Sequence, residues 1–158
     1  MPYWELFYHV VWCTRNREPL LVAEVEPAIY GYLRAKAHEL GATVYALNGT
    51  DDHVHMVVAV PPRIAVATFV GQVKALASNR FNKTGPGNFG WQAEYGVFSF
   101  HRKQLRTVVA YVDKQKEHHA QGTTLAPMER VDDSGFSPHH GTGMRPGINA
   151  GATGTAVG

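Results

Sequence analysis

The spacing of apolar positions changes period along the chain, and each change marks an element. Tyr3 to Thr14 is dense in aromatic and β-branched residues (Phe7, Tyr8, Val10, Val11, Trp12), the composition of a buried strand. Arg15 to Leu21, with Pro19, reads as a loop. From Glu24 onward Val25, Ile29, Tyr32, Leu33, Ala37 and Leu40 fall on one helical face, and Gly41 is placed to end that helix in a left-handed conformation. Thr43 to Leu47 and His53 to Val60 predict a hairpin around an Asn48 to Asp52 turn containing Asn-Gly, with Pro61 and Pro62 closing the second strand. Ile64 to Phe81 returns to helical spacing, with apolar residues at 66, 69, 70, 73, 76 and 77, and Lys83 to Gly90 is a Gly-rich loop. Tyr95 to Phe100 predicts a short strand. Arg102 to His119 predicts a third helix with Leu105, Val108, Val109 and Val112 on one side, closed by Gly122.

The order β, α, β, β, α, β, α predicts an α+β fold of ferredoxin-like type, an antiparallel or mixed sheet with helices packed on one face. After Gly122 periodicity stops: residues 123–158 hold seven glycines, three prolines and a single aromatic, Phe136. The expected division is a folded domain over 1–122 and a mobile Gly/Pro-rich tail over 123–158, in which His139 and His140 are solvated.

With 158 residues, 44% of them apolar and 18% charged, the chain is neither a disordered polymer nor a membrane protein, and no apolar run approaches the ~18 residues of a spanning helix. Met1 to Cys13 carries Glu5 and no basic leader or small-residue cleavage site, so a cytoplasmic protein is expected. The lone Cys13 cannot form an internal disulfide and is expected in the core. The net charge of +2 conceals an asymmetry: residues 1–52 carry −3, 53–73 carry +1, 74–116 carry +6 and 117–158 carry −2. The basic block predicts one basic face for a nucleic-acid partner, with Lys74, Arg80, Arg102, Lys103 and Arg106 as phosphate contacts. Trp91 and Tyr95 either stack on splayed bases or pack in the core.

His53 and His55 flank Val54 in the most apolar strand, so both imidazoles point to one face about 6.6 to 6.8 Å apart and can chelate one ion. Tyr111 and Gln115, four residues apart on the third helix, bring a phenol and an amide to one point. An amide oxygen suits a hard divalent ion, and two imidazoles plus that oxygen leave positions for phosphate oxygens beside a nucleophilic tyrosine. On spacing alone, Tyr111 fits equally well as a ring packed on the sheet.

Four strings bear on that choice: Tyr8-His9-Val10-Val11-Trp12, Asp52-His53-Val54-His55, the aromatic segment Trp91 to Ser99, and Tyr111 to His119. In this order they resemble the single-tyrosine transposases of the HUH endonuclease superfamily, carried by the smallest bacterial insertion sequences, and their relatives associated with repetitive extragenic palindromes. The resemblance covers residues 3–121. It implies that His53, His55 and Gln115 bind a divalent ion, Mg2+ or Mn2+, and that Tyr111 attacks a single-stranded DNA phosphodiester to give a 5′-phosphotyrosine and a 3′-hydroxyl. That hydroxyl later attacks another phosphotyrosine and rejoins strands. The resemblance also implies DNA hairpins as partners and a homodimer in which the nucleophilic helix can serve the other copy's histidines. One departure is Asp51, where much of the family has proline; Asp51 or Asp52 either orients a histidine or simply forms the turn. His118 and His119 fit a helix-end or phosphate contact as well as catalysis. Two other readings are a domesticated single-stranded nucleic-acid-binding protein without transposition, and a metal-dependent phosphodiesterase using activated water.

Overall fold

The computed structural model describes residues 2–85 and 87–131. Strands β1 (Phe7–Cys13), β2 (Thr43–Gly49), β3 (His53–Ala59) and β4 (Gly96–Phe100) form one antiparallel sheet in the order β2-β3-β1-β4. Helices α1 (Glu26–Glu39) and α2 (Val66–Thr84) connect its halves, and α3 (Leu105–Asp113), α4 (Gln115–Gln121) and α5 (Ala126–Glu129) follow β4. The α+β antiparallel class expected from the element order is the observed one.

The period-two alternation of the central strands sends two different chemistries to two faces. Val10 and Trp12 of β1 and Val54, Met56 and Val58 of β3, with Val60 beyond it, pack against Ile29, Leu33 and Ala37 of α1 and Phe69, Val70, Val73 and Ala77 of α2. Each of the larger of these side chains contributes ~1.5 to 3 kcal/mol by burial. His53, His55 and Val57 face the other way, where Ala46 and Val57 meet Val108, Tyr111 and Val112 of α3. Helices therefore cover both faces, not one: α1 and α2 share the apolar face, and α3 roofs the histidine face. Being covered twice, β3 is buried along its whole length.

Several boundaries differ from the pattern-based ones. Asn48 and Gly49 lie inside β2, and the turn is Thr50 to Asp52. Glycine is required at 49, because a Cβ there would run into the His53 carbonyl that accepts from the Thr50 amide at 3.0 Å. The third predicted helix is broken at Lys114 (φ −98°, ψ 17°), which ends α3 and begins α4. Gly41 (φ +82°) does end α1 as expected.

Residues 123–131, read from the sequence as the start of a tail, contain α5, and the backbone of Arg130 lies so close to Gly96 of β4 that a Cβ at 96 would strike its carbonyl. His139, His140 and the glycines from 141 onward lie outside the described residues. Among the described residues no helix is long and apolar enough to cross a membrane. Cys13 is buried, with the Arg17 guanidinium 3.2 Å from its sulfur.

Candidate active site

The two histidines reach the same face from adjacent odd positions of β3, and each is oriented by a different partner. His53 Nδ1 lies 2.7 Å from Asp52 Oδ1 and 2.8 Å from Thr50 Oγ1, so Asp52 both shapes the turn and orients a histidine. Asp51 instead uses its backbone carbonyl to accept from the Leu21 amide, and its side chain is exposed. His55, fully buried, places Nδ1 2.7 Å from Nε2 of His9 on β1.

Despite the break at Lys114, Tyr111 and Gln115 still converge. Tyr111 donates its hydroxyl to Glu129 Oε1 at 2.5 Å, and Gln115 donates its amide to the same oxygen at 2.7 Å. The other carboxylate oxygen, Oε2, lies 2.8 Å from His55 Nε2, 3.4 Å from His53 Nε2 and 3.5 Å from His119 Nε2. One carboxylate from α5 thus joins all four predicted residues. The Tyr111 oxygen also accepts from the Leu125 amide at 2.9 Å, and His118 stacks on the ring with centroids 4.6 Å apart.

These contacts set the electrostatics. Burial lowers the pKa of His53, but the bonds to Glu129 and Asp52 raise it by more, for a net upward shift. In His55 burial wins over Glu129 and the shift is downward. Burial, helped by His55, takes His9 down to about 3. Burial disfavours the Glu129 anion, yet bonds from His53, His55 and Tyr111 hold it well below the usual carboxylate range. Burial first and the Glu129 bond second push Tyr111 up to about 12, which leaves about one phenol in 10^5 ionised at pH 7.

The donor set suits a divalent metal ion. The nearest donor atoms of His53, His55, His119 and Glu129 all lie within 4.8 Å of one another. Gln115 Oε1 is buried without a hydrogen-bond partner, and His53 Nε2 meets only the Glu129 carboxylate at 3.4 Å, which leaves an oxygen and a loosely held nitrogen open to ligation. Glu129 and His119 can hold such an ion as well as His53, His55 and Gln115 can. Glu129 is the residue that sequence reasoning missed; Pro127 near the start of α5 and the apolar Leu125 and Met128 were its only local signals.

The basic residues do not form the single face expected of them. Lys74 is buried, its ammonium 2.7 Å from the Gln92 carbonyl and 3.4 Å from that of Ala93, so the phosphate contact expected of it is corrected to a tie between α2 and the segment before β4. Arg80 is exposed on α2, across the sheet from Arg106 on α3. Arg102, Lys103 and Arg106 are exposed together at the head of α3, with Arg102 paired to Glu5 and lying over the Phe7 ring. Trp91 donates to the Lys74 carbonyl at 3.0 Å and packs edge-on against Trp12 and Phe89, and Tyr95 also lies against the core.

An antiparallel sheet presenting a His-x-His pair beneath a helical tyrosine, with a glutamine one turn on, defines the class of single-tyrosine HUH transposases. The family model described as "Transposase IS200 like" matches residues 2–115, and the chain belongs to that family. It is 26% identical over 122 residues to the ISDra2 transposase TnpA of Deinococcus radiodurans, covering 72% of this chain and 86% of that one. It is 27% identical over 75 residues to the transposase for insertion sequence element IS200 of Salmonella typhimurium, 48% of this chain and 49% of that one. Among solved structures, a candidate transposase from D. radiodurans R1 superposes with a TM-score of 0.59 at 25% identity, over 73% of this chain and 95% of that one. A REP-associated tyrosine transposase bound to a REP hairpin shares the fold at a TM-score of 0.57 and 14% identity, over 78% and 76% of the two chains.

Proposed function

We propose that this transposase cuts and rejoins single-stranded DNA through a covalent bond between Tyr111 and a 5′ phosphate. The observation that carries the reading is the Glu129 carboxylate: one small anion is held by the phenol and amide on one oxygen and by the imidazoles on the other. A phosphate drawn into the same cradle has its phosphorus beside the Tyr111 oxygen. Attack forms the Tyr111 Oη–P bond and breaks the P–O3′ bond; the phenolic proton leaves, and the departing 3′ oxygen takes up a proton. The resulting 3′-hydroxyl reverses the step at a second phosphotyrosine, so strands are exchanged with no external energy source.

His53, His55 and Gln115 are proposed to hold a divalent ion, Mg2+ or Mn2+, with Glu129 and His119 in reach of it. When bound, that ion supplies Lewis-acid polarisation of the phosphate oxygens. The proposed substrate is hairpin-bearing DNA, as the relative bound to a REP hairpin suggests, with Arg102, Lys103 and Arg106 on its phosphates and Arg80 as an outlying contact. The working unit is proposed to be a homodimer in the cytoplasm, associated with the nucleoid when bound to DNA.

The test incubates a single-stranded hairpin oligonucleotide and Mn2+ with wild type and with Tyr111→Phe, followed by a denaturing gel. Wild type is expected to give a protein–DNA adduct and Tyr111→Phe none, with DNA binding retained. Cleavage by Tyr111→Phe without adduct would instead point to a phosphodiesterase using water, and binding without cleavage by wild type to a nucleic-acid-binding protein.

A further inference from the structure

His9 is a buried ring beside the site that the proposed chemistry leaves unused. It lies on β1, one strand over from the histidine pair and on the same sheet face, 1% exposed, between Phe98 and Tyr111. Its Nε2 is 2.7 Å from His55 Nδ1, the two rings are stacked with centroids 5.0 Å apart, and its Nδ1 has no partner.

Two imidazole nitrogens at that distance share one hydrogen, so either His9 donates or His55 does. If His9 donates, His55 carries its own hydrogen on Nε2, which then faces Glu129 at 2.8 Å and offers no lone pair to a cation. If His55 donates, its hydrogen sits on Nδ1, its Nε2 is bare, and His9 carries its hydrogen on the unpartnered Nδ1. A metal-ligating histidine needs the second arrangement, with an acceptor behind it. His53 has such acceptors in Asp52 and Thr50; for His55 the atom in that place is His9 Nε2.

We infer that His9 is a positioning residue: its bare Nε2 accepts the Nδ1 hydrogen of His55 and so fixes the tautomer in which His55 Nε2 binds a divalent cation. The inference rests on the metal-site reading above. The ligand histidines are therefore tuned unequally, one by a carboxylate and the other by a neutral ring in an apolar pocket, which makes His55 the more weakly donating of the two.

The experiment titrates the full chain with Mn2+ alone, without DNA, for wild type, His9→Phe and His9→Gln, because a glutamine side-chain oxygen can reach the place of Nε2. Mn2+ affinity should fall ten- to hundredfold in His9→Phe and return to within a few fold of wild type in His9→Gln. In parallel, 15N-resolved imidazole spectra of wild type saturated with Mg2+ should show His9 protonated on Nδ1 and His55 on Nδ1; this readout needs no variant to fold. Equal Mn2+ affinity in wild type and His9→Phe overturns the role of His9, as does a His9 protonated on Nε2 in the Mg2+-bound state. A wild type that binds no Mn2+ removes the metal-site reading and this inference with it.

Discussion

Glu129→Gln keeps the shape of the side chain and removes the charge on which the site is organised. Tyr111 stands about two pKa units above an ordinary phenol, worth about 2.7 kcal/mol against the phenolate at 1.36 kcal/mol per unit. Burial is the largest cause and survives the substitution; the bond to the Glu129 anion is the next and does not. The Tyr111 pKa should therefore fall by about one unit, some 1.4 kcal/mol, which means tenfold more phenolate at any pH well below it. The assay is a 13C-tyrosine NMR titration of metal-free protein, with Tyr111→Phe identifying the resonance among the seven tyrosines. A Tyr111 pKa unchanged or raised in Glu129→Gln would refute the electrostatic reasoning, because the site would then owe its depressed acidity to burial alone.

Other outcomes follow from the same contacts. Lys74→Met should cost about 2 kcal/mol in urea unfolding, since it strips charged hydrogen bonds from the carbonyls at 92 and 93, while leaving the salt slope of hairpin binding unchanged; Arg106→Ala should do the reverse, making the slope shallower by about one, and a flattened slope in Lys74→Met would restore Lys74 to the DNA contacts. For metal-free protein, the folded-state pKa of His9 is lowered from 6.5 to about 3, so the neutral ring contributes stability fully present above pH 6.5 and lost as pH falls through 3. That loss is on the order of 5 kcal/mol and should be absent from denaturant unfolding of His9→Phe across the same range. Gly96→Ala, a substitution outside the site, should push the Arg130 carbonyl off β4, loosen α5 and with it Glu129, and lower the Tyr111 pKa in the same NMR titration; an unmoved resonance would uncouple α5 from β4.

What the sequence conveyed follows from where chemistry and periodicity coincide. His53 and His55 were legible because a strand alternates faces, so a pair two apart in an apolar run must share one. Tyr111 and Gln115 were legible as a pair four apart, although the helix joining them breaks at Lys114 with no proline or glycine to announce it. Lys74 was misjudged by charge alone; it stands in line with Val70, Val73 and Ala77 on the apolar stripe of α2, and that spacing already placed it inward. His9 shares alternation with Phe7, Val11 and Cys13, so its approach to His55 depended on knowing that β1 pairs with β3. Glu129 had no such guide. A four-residue helix carries too few positions for a period, and the tie that holds its segment at Gly96 is a backbone contact.

The bond to DNA is proposed to form on Tyr111, and the modified residue can be read directly. After reaction with a hairpin oligonucleotide and Mn2+, nuclease trimming and cleavage after Arg106 and Lys114, mass spectrometry should find the nucleotide phosphate on Tyr111 of the peptide from Thr107 to Lys114. A nucleotide on any other residue, or cut DNA with that peptide unmodified, would contradict the account.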